Sequence, residues 1–518
     1  MNSISQKRKY STQDIFNMRY LTLILIISFT QFSLAQSKEL EKADELFHCF
    51  NYTKAIESYM KLLDEGQHAY YCTKKIAESY AKLHDSSEAI QWYKKCIDFP
   101  DFESDIYLRL GQELLKEGQQ EEAYRFFQDY YKQKELPHQL MSISLLDYYD
   151  DILRDSTRYQ IIPLTINTKY DEFGPALYND EMVFTSNRPI KSISRHKDVQ
   201  TGQSFFNLYL VDKTSPNAEL FSKELQSKYN DGPLCFSNDM QTAYITRNTS
   251  SSNKHINTLD VFVSRKEGDK WSKNLRRLPI RKGNYSVAHA FLSVDGKYIF
   301  FASDMPGGYG GMDLYACEIK NGFLTQPVNL GPRINTPGNE IFPFADKNGT
   351  IYFASDMHPG LGGYDLFFSK LIENEYTTPF NLGYPVNSKA DDFSLVISSN
   401  NQLGFFASNR EGGVGGDDIY ALQLIQPLDF CIINAKIMSE VDSTLLSNAL
   451  IDIIELESGL KMTLKTDRSG QFECYLKKDK KYSFQVRRKL YTDFKGVLSP
   501  EELGRYDILK LNIALKEK

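Results

Sequence analysis

The sequence predicts a multidomain chain: an α-helical solenoid, then a five-bladed β-propeller, then a small antiparallel β-sandwich. Two repeats of different period carry the first two assignments. Between Ala43 and Phe127 residue types recur every 34 positions, as Ala43, Ala77 and Gly111, as Ala55, Ala89 and Ala123, and as Tyr59, Tyr93 and Phe127. From about residue 160 to 427 a second pattern recurs every 52 to 53 positions, at Asn207, Asp260, Asp313, Asp365 and Asp418, each followed by an aliphatic and then an aromatic residue. The third assignment rests on a change of character near Phe430, where glycine-rich loops give way to alternating apolar and polar residues. Repeats of these lengths are stacked supersecondary units, none of which buries its apolar face alone. Such stacks present extended surfaces, which directs attention to partners first.

Composition narrows the classes. At 518 residues the chain is too long for one core, and its 33 Tyr and 33 Phe supply several small ones. A net charge of −6, spread along the chain, gives no electrostatic footprint for nucleic acid. The seven cysteines (Cys49, Cys72, Cys96, Cys235, Cys317, Cys431, Cys474) lack ligand spacing, and their odd number argues against a disulfide framework; they are expected to be small buried hydrophobes.

The N-terminal segment has the order of a secretory signal. Lys7, Arg8, Lys9 and Arg19 precede an apolar run from Tyr20 to Leu34, and Ser33-Leu34-Ala35 ends it before Gln36. Residues 1–35 are therefore expected to be a signal peptide, with Met18 a more typical start and 1–17 an extension; the alternative is an uncleaved anchor. No Cys follows the cleavage site, so a lipoprotein is not expected.

In the first module small residues occupy two positions of each period, and an aromatic follows the second by four. Ala55 and Tyr59 share one helical face, as do Ala89 with Tyr93 and Ala123 with Phe127. These spacings resemble the tetratricopeptide repeat, in three copies over 38–136, with a capping helix at 138–153 and the helical domain reaching 157. The resemblance implies a concave groove for a peptide or partner helix, with Tyr59 and Tyr93 as candidate groove residues. The alternative is a stack that only packs against its neighbour.

In the second module, 159–427, each unit opens with a short strand and turns at a pair such as Asp295-Gly296 or Asn348-Gly349. A strand rich in β-branched and aromatic residues, a glycine loop and a third strand at the recurrent Asp follow. Four strands in about 50 residues is a propeller pattern. The last unit lacks its fourth strand, whereas 159–168 is a strand sequence with no unit before it; pairing the two is expected to close the ring and leave no open edge. The motifs (S-x-D-G, F-A-S-D or F-A-S-N, then D-[LI]-[YF]) resemble the WD-repeat-like propeller of TolB type, whose relatives include interaction platforms, hydrolases and lyases.

Two sets of residues in this module invite a ligand. The glycine loops (Gly307, Gly308, Gly310, Gly311; Gly360, Gly362, Gly363; Gly412, Gly413, Gly415, Gly416) lie beside aspartates that would suit Ca²⁺, or else accept backbone hydrogen bonds while glycine supplies positive φ. Glu172, Glu340 and Asp392 follow the steps Asn167-Thr168, Asn335-Thr336 and Asn387-Ser388 and are the candidate ligand positions on the propeller; the alternative is that they cap turns between blades.

The third module, 430–518, combines Leu446, Asn448-Ala449, Thr466-Asp467, Gly470-Gln471-Phe472 and Tyr482 in an order that resembles the carboxypeptidase regulatory-like, transthyretin-like domain. No catalytic role follows from it. The eight histidines show no ligand spacing, and neither a G-x-S-x-G elbow nor a phosphate loop is present, so no catalytic residue, cofactor or metal is assigned.

The order of modules resembles periplasmic envelope proteins of Bacteroidetes-type bacteria, which often end in an OmpA-like domain and serve type IX secretion or gliding. That resemblance implies a non-enzymatic, exported scaffold, associated with the outer membrane only through the protein partners of an envelope complex. With no OmpA-like segment before Lys518, direct peptidoglycan binding is not expected. The alternative is a propeller that binds a peptide or glycan or acts as a hydrolase.

Overall fold

The computed structural model describes residues 38–47, 51–134, 158–190, 204–212, 217–250, 257–372, 374–398, 403–425 and 429–518. The expected signal peptide, the capping helix expected at 138–153, and residues 191–203 and 251–256 lie outside them. The chain is helical at its N-terminal end and β-rich thereafter. It divides into two compact units, one ending at Phe102 and one running from Glu103 to Lys518.

The first unit contains α1 (38–47), α2 (Tyr52–Asp64), α3 (Ala69–Lys82) and α4 (Ser86–Ile97). The 34-residue repeat is explained by its core: Ala43, Ala55, Ala77 and Ala89 are fully buried, because only a methyl group fits where neighbouring helices approach. Asp85 caps α4 by accepting from Glu88 N at 3.2 Å, satisfying an amide that the helix leaves free.

The division falls inside the expected helical domain, because the third helix pair, α5 (Asp105–Lys116) and α6 (Gln120–Gln133), belongs to the second unit. Gly111 on α5 admits the Phe127 ring of α6 so closely that a Cβ would collide with it. On the other side α6 seats on the loop 359–363: Gly360 N donates to Tyr124 Oη at 2.8 Å, and Gln120 Nε2 donates to the Leu361 carbonyl at 3.3 Å. For this pair the structure favours packing against the β-rich region.

Five antiparallel sheets follow. Their first strands are Glu172–Tyr178, Asp231–Phe236, Val287–Leu292, Glu340–Ala345 and Asp392–Ile397. Each pairs with a second strand, and that with a third that begins at or contains the recurrent Asn or Asp: Asn207–Asp212, Asn257–Glu267, Asp313–Lys320, Asp365–Ile372 and Asp418–Leu424. In the fifth sheet the outer strand is Tyr159–Pro163, antiparallel to Asp418–Leu424 with Tyr159 opposite Leu424. The five first strands adjoin one another in cyclic order, the fifth beside the first.

Each first strand is broken at the same place. Pairing slips by one residue after Phe173, Asp231, Ala288, Ile341 and Phe393. A residue of positive φ sits at the slip in all five: Gly174 (φ 61°), Gly232 (112°), His289 (54°), Phe342 (51°) and Ser394 (55°). Such a bulge re-aims the side chains around it, here toward the middle of the ring.

Residues 430–518 form two sheets around one apolar core that includes Ile433, Ile451, Ile453 and Val486. One correction applies: the expected antiparallel arrangement fails for Phe430–Ser439, which runs parallel to Ile508–Leu515. A parallel pair needs a long crossover, and the intervening second sheet with its short helix Pro500–Leu503, closed by a Ser499/Glu502 capping box, provides it. This region meets the fourth sheet through Tyr475, whose hydroxyl donates to the Thr378 carbonyl at 2.7 Å, and through Glu473, which accepts from Thr378 N at 2.7 Å.

Candidate functional site

The three acidic candidates occupy equivalent joints between consecutive sheets. Glu172 accepts from Thr168 N (2.8 Å), Thr168 Oγ1 (2.8 Å), Ser186 Oγ (2.9 Å) and Arg188 Nη2 (2.9 Å). Glu340 accepts from Thr336 N (2.8 Å), Thr336 Oγ1 (2.6 Å) and Ser355 Oγ (2.7 Å). Asp392 accepts from Ser388 N (2.6 Å), Ser388 Oγ (2.8 Å) and Arg410 Nη2 (2.5 Å). Their own amides donate across the joint, to the carbonyls of Asp417, Met312 and Tyr364. All three side chains are fully buried and held by the fold, so none of them faces a ligand.

The asparagines before them hold the same joints. Asn167, Asn335 and Asn387 each pair their side-chain amide with both backbone groups of Ile419, Leu314 and Leu366, respectively, in the preceding sheet. Asp231 does the same work as the three acids in the second sheet, accepting from Ser227 N at 2.6 Å and Arg247 Nε at 2.5 Å. Sequence reasoning missed it, although Ser227 stands four residues before it, as Thr168, Thr336 and Ser388 stand before the others. Burial raises the pKa of all four carboxyls, with hydrogen bonds opposing it throughout and arginines opposing it at Glu172, Asp231 and Asp392. Glu340, with no ion pair among the described residues, is pushed up to about 8.

The glycine loops belong to these joints as well. Asp313 accepts from Tyr309 N (2.6 Å) and Gly310 N (3.0 Å), and Asp418 from Val414 N (2.5 Å) and Gly415 N (3.2 Å). A Cβ on Gly310, Gly362 or Gly415 would collide with the backbone of Thr336, Lys389 or Tyr170 in the next sheet. Close approach is the main reason for glycine here, and positive φ is confined to Gly307 and Gly412. Among the described residues no three His, Cys, Asp or Glu side chains are placed to hold a metal ion.

The groove candidates also need correction. Tyr59 and Tyr93 are 0% and 1% exposed, because the helical faces that carry them turn into the core. The Tyr59 hydroxyl donates to Asp44 Oδ1 at 2.6 Å, an acceptor that it shares with Tyr71 at 2.8 Å.

The concave feature that the sequence did not reveal lies at the centre of the ring. A cavity of ≈ 180 Å³ is lined from all five first strands, by Leu177, Cys235, Phe291, Phe344 and Val396 among others. Phe342 of this wall packs with Phe173 and Phe393, the three ring centroids 5.3 to 6.4 Å apart. His289 stacks on Phe342 at 3.8 Å with the planes 9° apart. The described wall carries two titratable side chains, Cys235 and His289, and burial raises the first to about 12 and lowers the second to about 3. Both are therefore neutral near pH 7.

No protein-family model matches the chain, and neither does any curated protein. Solved structures with some likeness include a thermostable family-43 glycoside hydrolase, 14% identical over 50% of this chain and 94% of that one with a TM-score of 0.32. An oligogalacturonate lyase in complex with manganese is 13% identical over 50% and 67%, with a TM-score of 0.30. An endo-arabinase from Bacteroides thetaiotaomicron is 9% identical over 52% and 98%, with a TM-score of 0.31. These similar structures are enzymes, which overturns the expectation that the chain is not one; at such scores they carry no substrate or mechanism over to it.

Proposed function

We propose that this chain is a ligand-binding protein built on a five-bladed β-propeller, in which the central cavity takes an apolar side chain of a peptide. The observation that carries this reading is the composition of the cavity wall. Five first strands converge on one concave surface, and their side chains there are mostly aliphatic and aromatic. A sugar would bring a hydroxyl on almost every carbon into a wall with few partners, and each unmatched hydroxyl would oppose binding. An apolar side chain loses nothing there, and its backbone would stay at the rim, where Ser237 and Asn238 lie. The cyclic order of the strands and the recurring joints support the propeller, and the two sheets around one core support a regulatory-like β-sandwich at 430–518.

The setting is part of the same proposal. An exported chain of the envelope-protein type would meet such peptides in the periplasm, on proteins of an outer-membrane-associated complex. The test is titration of the full chain with short blocked peptides carrying one Leu, Phe or Tyr, followed by amide chemical shifts. Binding should perturb the strands around Phe291 and Phe344, and Val294→Trp at the half-exposed rim should weaken it at least about tenfold by closing the mouth. Affinity for neutral oligosaccharides but for none of the peptides, or peptide binding indifferent to Val294→Trp, would overturn the reading.

A further inference from the structure

The cavity's size and the imidazole on its wall narrow the ligand further. A dry apolar cavity of about 150 Å³ holds a benzene ring, so ≈ 180 Å³ accommodates a six-membered ring with one polar substituent. The wall is apolar except in a few places. Ser394 Oγ is engaged, accepting from Gly174 N at 3.2 Å, and the His289 amide is engaged, donating to Thr246 Oγ1 at 3.0 Å. The His289 side chain differs from these. Its Nδ1 is buried and meets no hydrogen-bond partner among the described residues. Leaving such a group unmatched is unfavourable, and buried polar atoms without partners are uncommon enough to call for a ligand or a water.

His289 is also held where it stands. Its backbone adopts φ 54°, a conformation that a side-chain-bearing residue rarely takes, and its ring lies flat on Phe342. The imidazole is thus fixed on the cavity wall with little freedom to turn away. Resting on the peptide-binding reading above, we infer that the cavity selects a phenolic ring, the side chain of a tyrosine, and that His289 is the specificity-determining residue that hydrogen-bonds its hydroxyl. The aromatic walls formed by Phe291 and Phe344 would face the ring, and the neutral imidazole would provide the polar partner that a phenylalanine side chain cannot use.

The experiment compares p-cresol with toluene, two probes of one shape that differ by the hydroxyl, binding to the full chain by chemical-shift titration. p-Cresol should bind about tenfold more tightly than toluene, the ratio of one net hydrogen bond. In His289→Leu that ratio should fall to about one while toluene binding persists, which also shows that the variant is folded; His289→Gln, which keeps a polar partner, should restore part of it. Equal binding of both probes to the unaltered chain would overturn the role of His289 and leave the apolar cavity standing. Failure of both probes to bind would overturn the cavity reading itself.

Discussion

The fourth and fifth sheets build the same joint with different electrostatics. In the fifth, Asp392 is fully buried opposite Arg410, whose guanidinium also donates to the carbonyls of Pro385 (2.8 Å) and Val386 (2.6 Å). In the fourth, Glu340 is equally buried and accepts three hydrogen bonds, but Met357 stands where the arginine would be. The backbone geometry is preserved in both, since each acid's amide donates to the preceding sheet at 2.6 Å. The difference teaches that the joint depends on filling the carboxyl's hydrogen-bonding positions. An ion pair is one way to do so, and a protonated carboxyl among hydroxyls is another.

Among the substitutions, breaking the ion pair should have the largest effect. Arg410→Met, which gives the fifth sheet the fourth sheet's side chain, should destabilise the chain by about 3 kcal/mol, because Asp392 is left buried without its cation; chemical denaturation measures it, and a loss below about 1 kcal/mol would place the arginine's contribution at that of a surface pair. Next in size is Gly415→Ala, which drives a methyl group into the Tyr170 backbone where the last sheet meets the first. It should cost about 2 kcal/mol, as should Gly310→Ala between the third and fourth sheets, since overpacking a rigid contact costs about 1–3 kcal/mol. Equal losses would show that the closing joint is like the others, and a much smaller loss at Gly415 would show that it is looser.

A pH dependence, comparable in size to the loss of the ion pair, separates the two joints further. The Glu340 carboxyl is raised from 4.5 to about 8 by burial, so the folded chain holds a proton there that the unfolded chain has released. Its contribution is fully present below about pH 4.5 and is lost as pH rises through 8. The midpoint of thermal unfolding should therefore fall from pH 5 to pH 9, and Glu340→Gln, permanently neutral, should flatten that fall. An unchanged slope in the variant would mean that Glu340 is ionised in the folded state.

Much of this was open to inspection in the sequence because the joints use side chains at fixed spacing. Hydroxyl and acid stand four residues apart at Thr168/Glu172, Thr336/Glu340 and Ser388/Asp392, so the acids were found even though their role proved to be internal. Asp231 escaped because its unit carries Ser227 without the Asn-Thr step that marks the other three. The cavity escaped for a different reason. Alternation along a strand assigns faces by parity, and the bulge after Phe173, Ile341 and Phe393 breaks parity in every first strand. Among the residues of positive φ at the slips, Gly174 and Gly232 have a type that announces the conformation; His289, Phe342 and Ser394 do not. The place of the third helix pair was hidden too, since Tyr124 and Gln120 look like ordinary helix residues until the loop at Gly360 and Leu361 is beside them.

If the ring encloses an apolar cavity open to a ligand, a crystal of the full chain soaked in benzene will reveal it. Ring-shaped density between Phe291, Phe344 and Val396, with the five first strands unmoved, is the predicted result. A centre filled by the protein's own side chains, with benzene absent or bound only elsewhere, would contradict it.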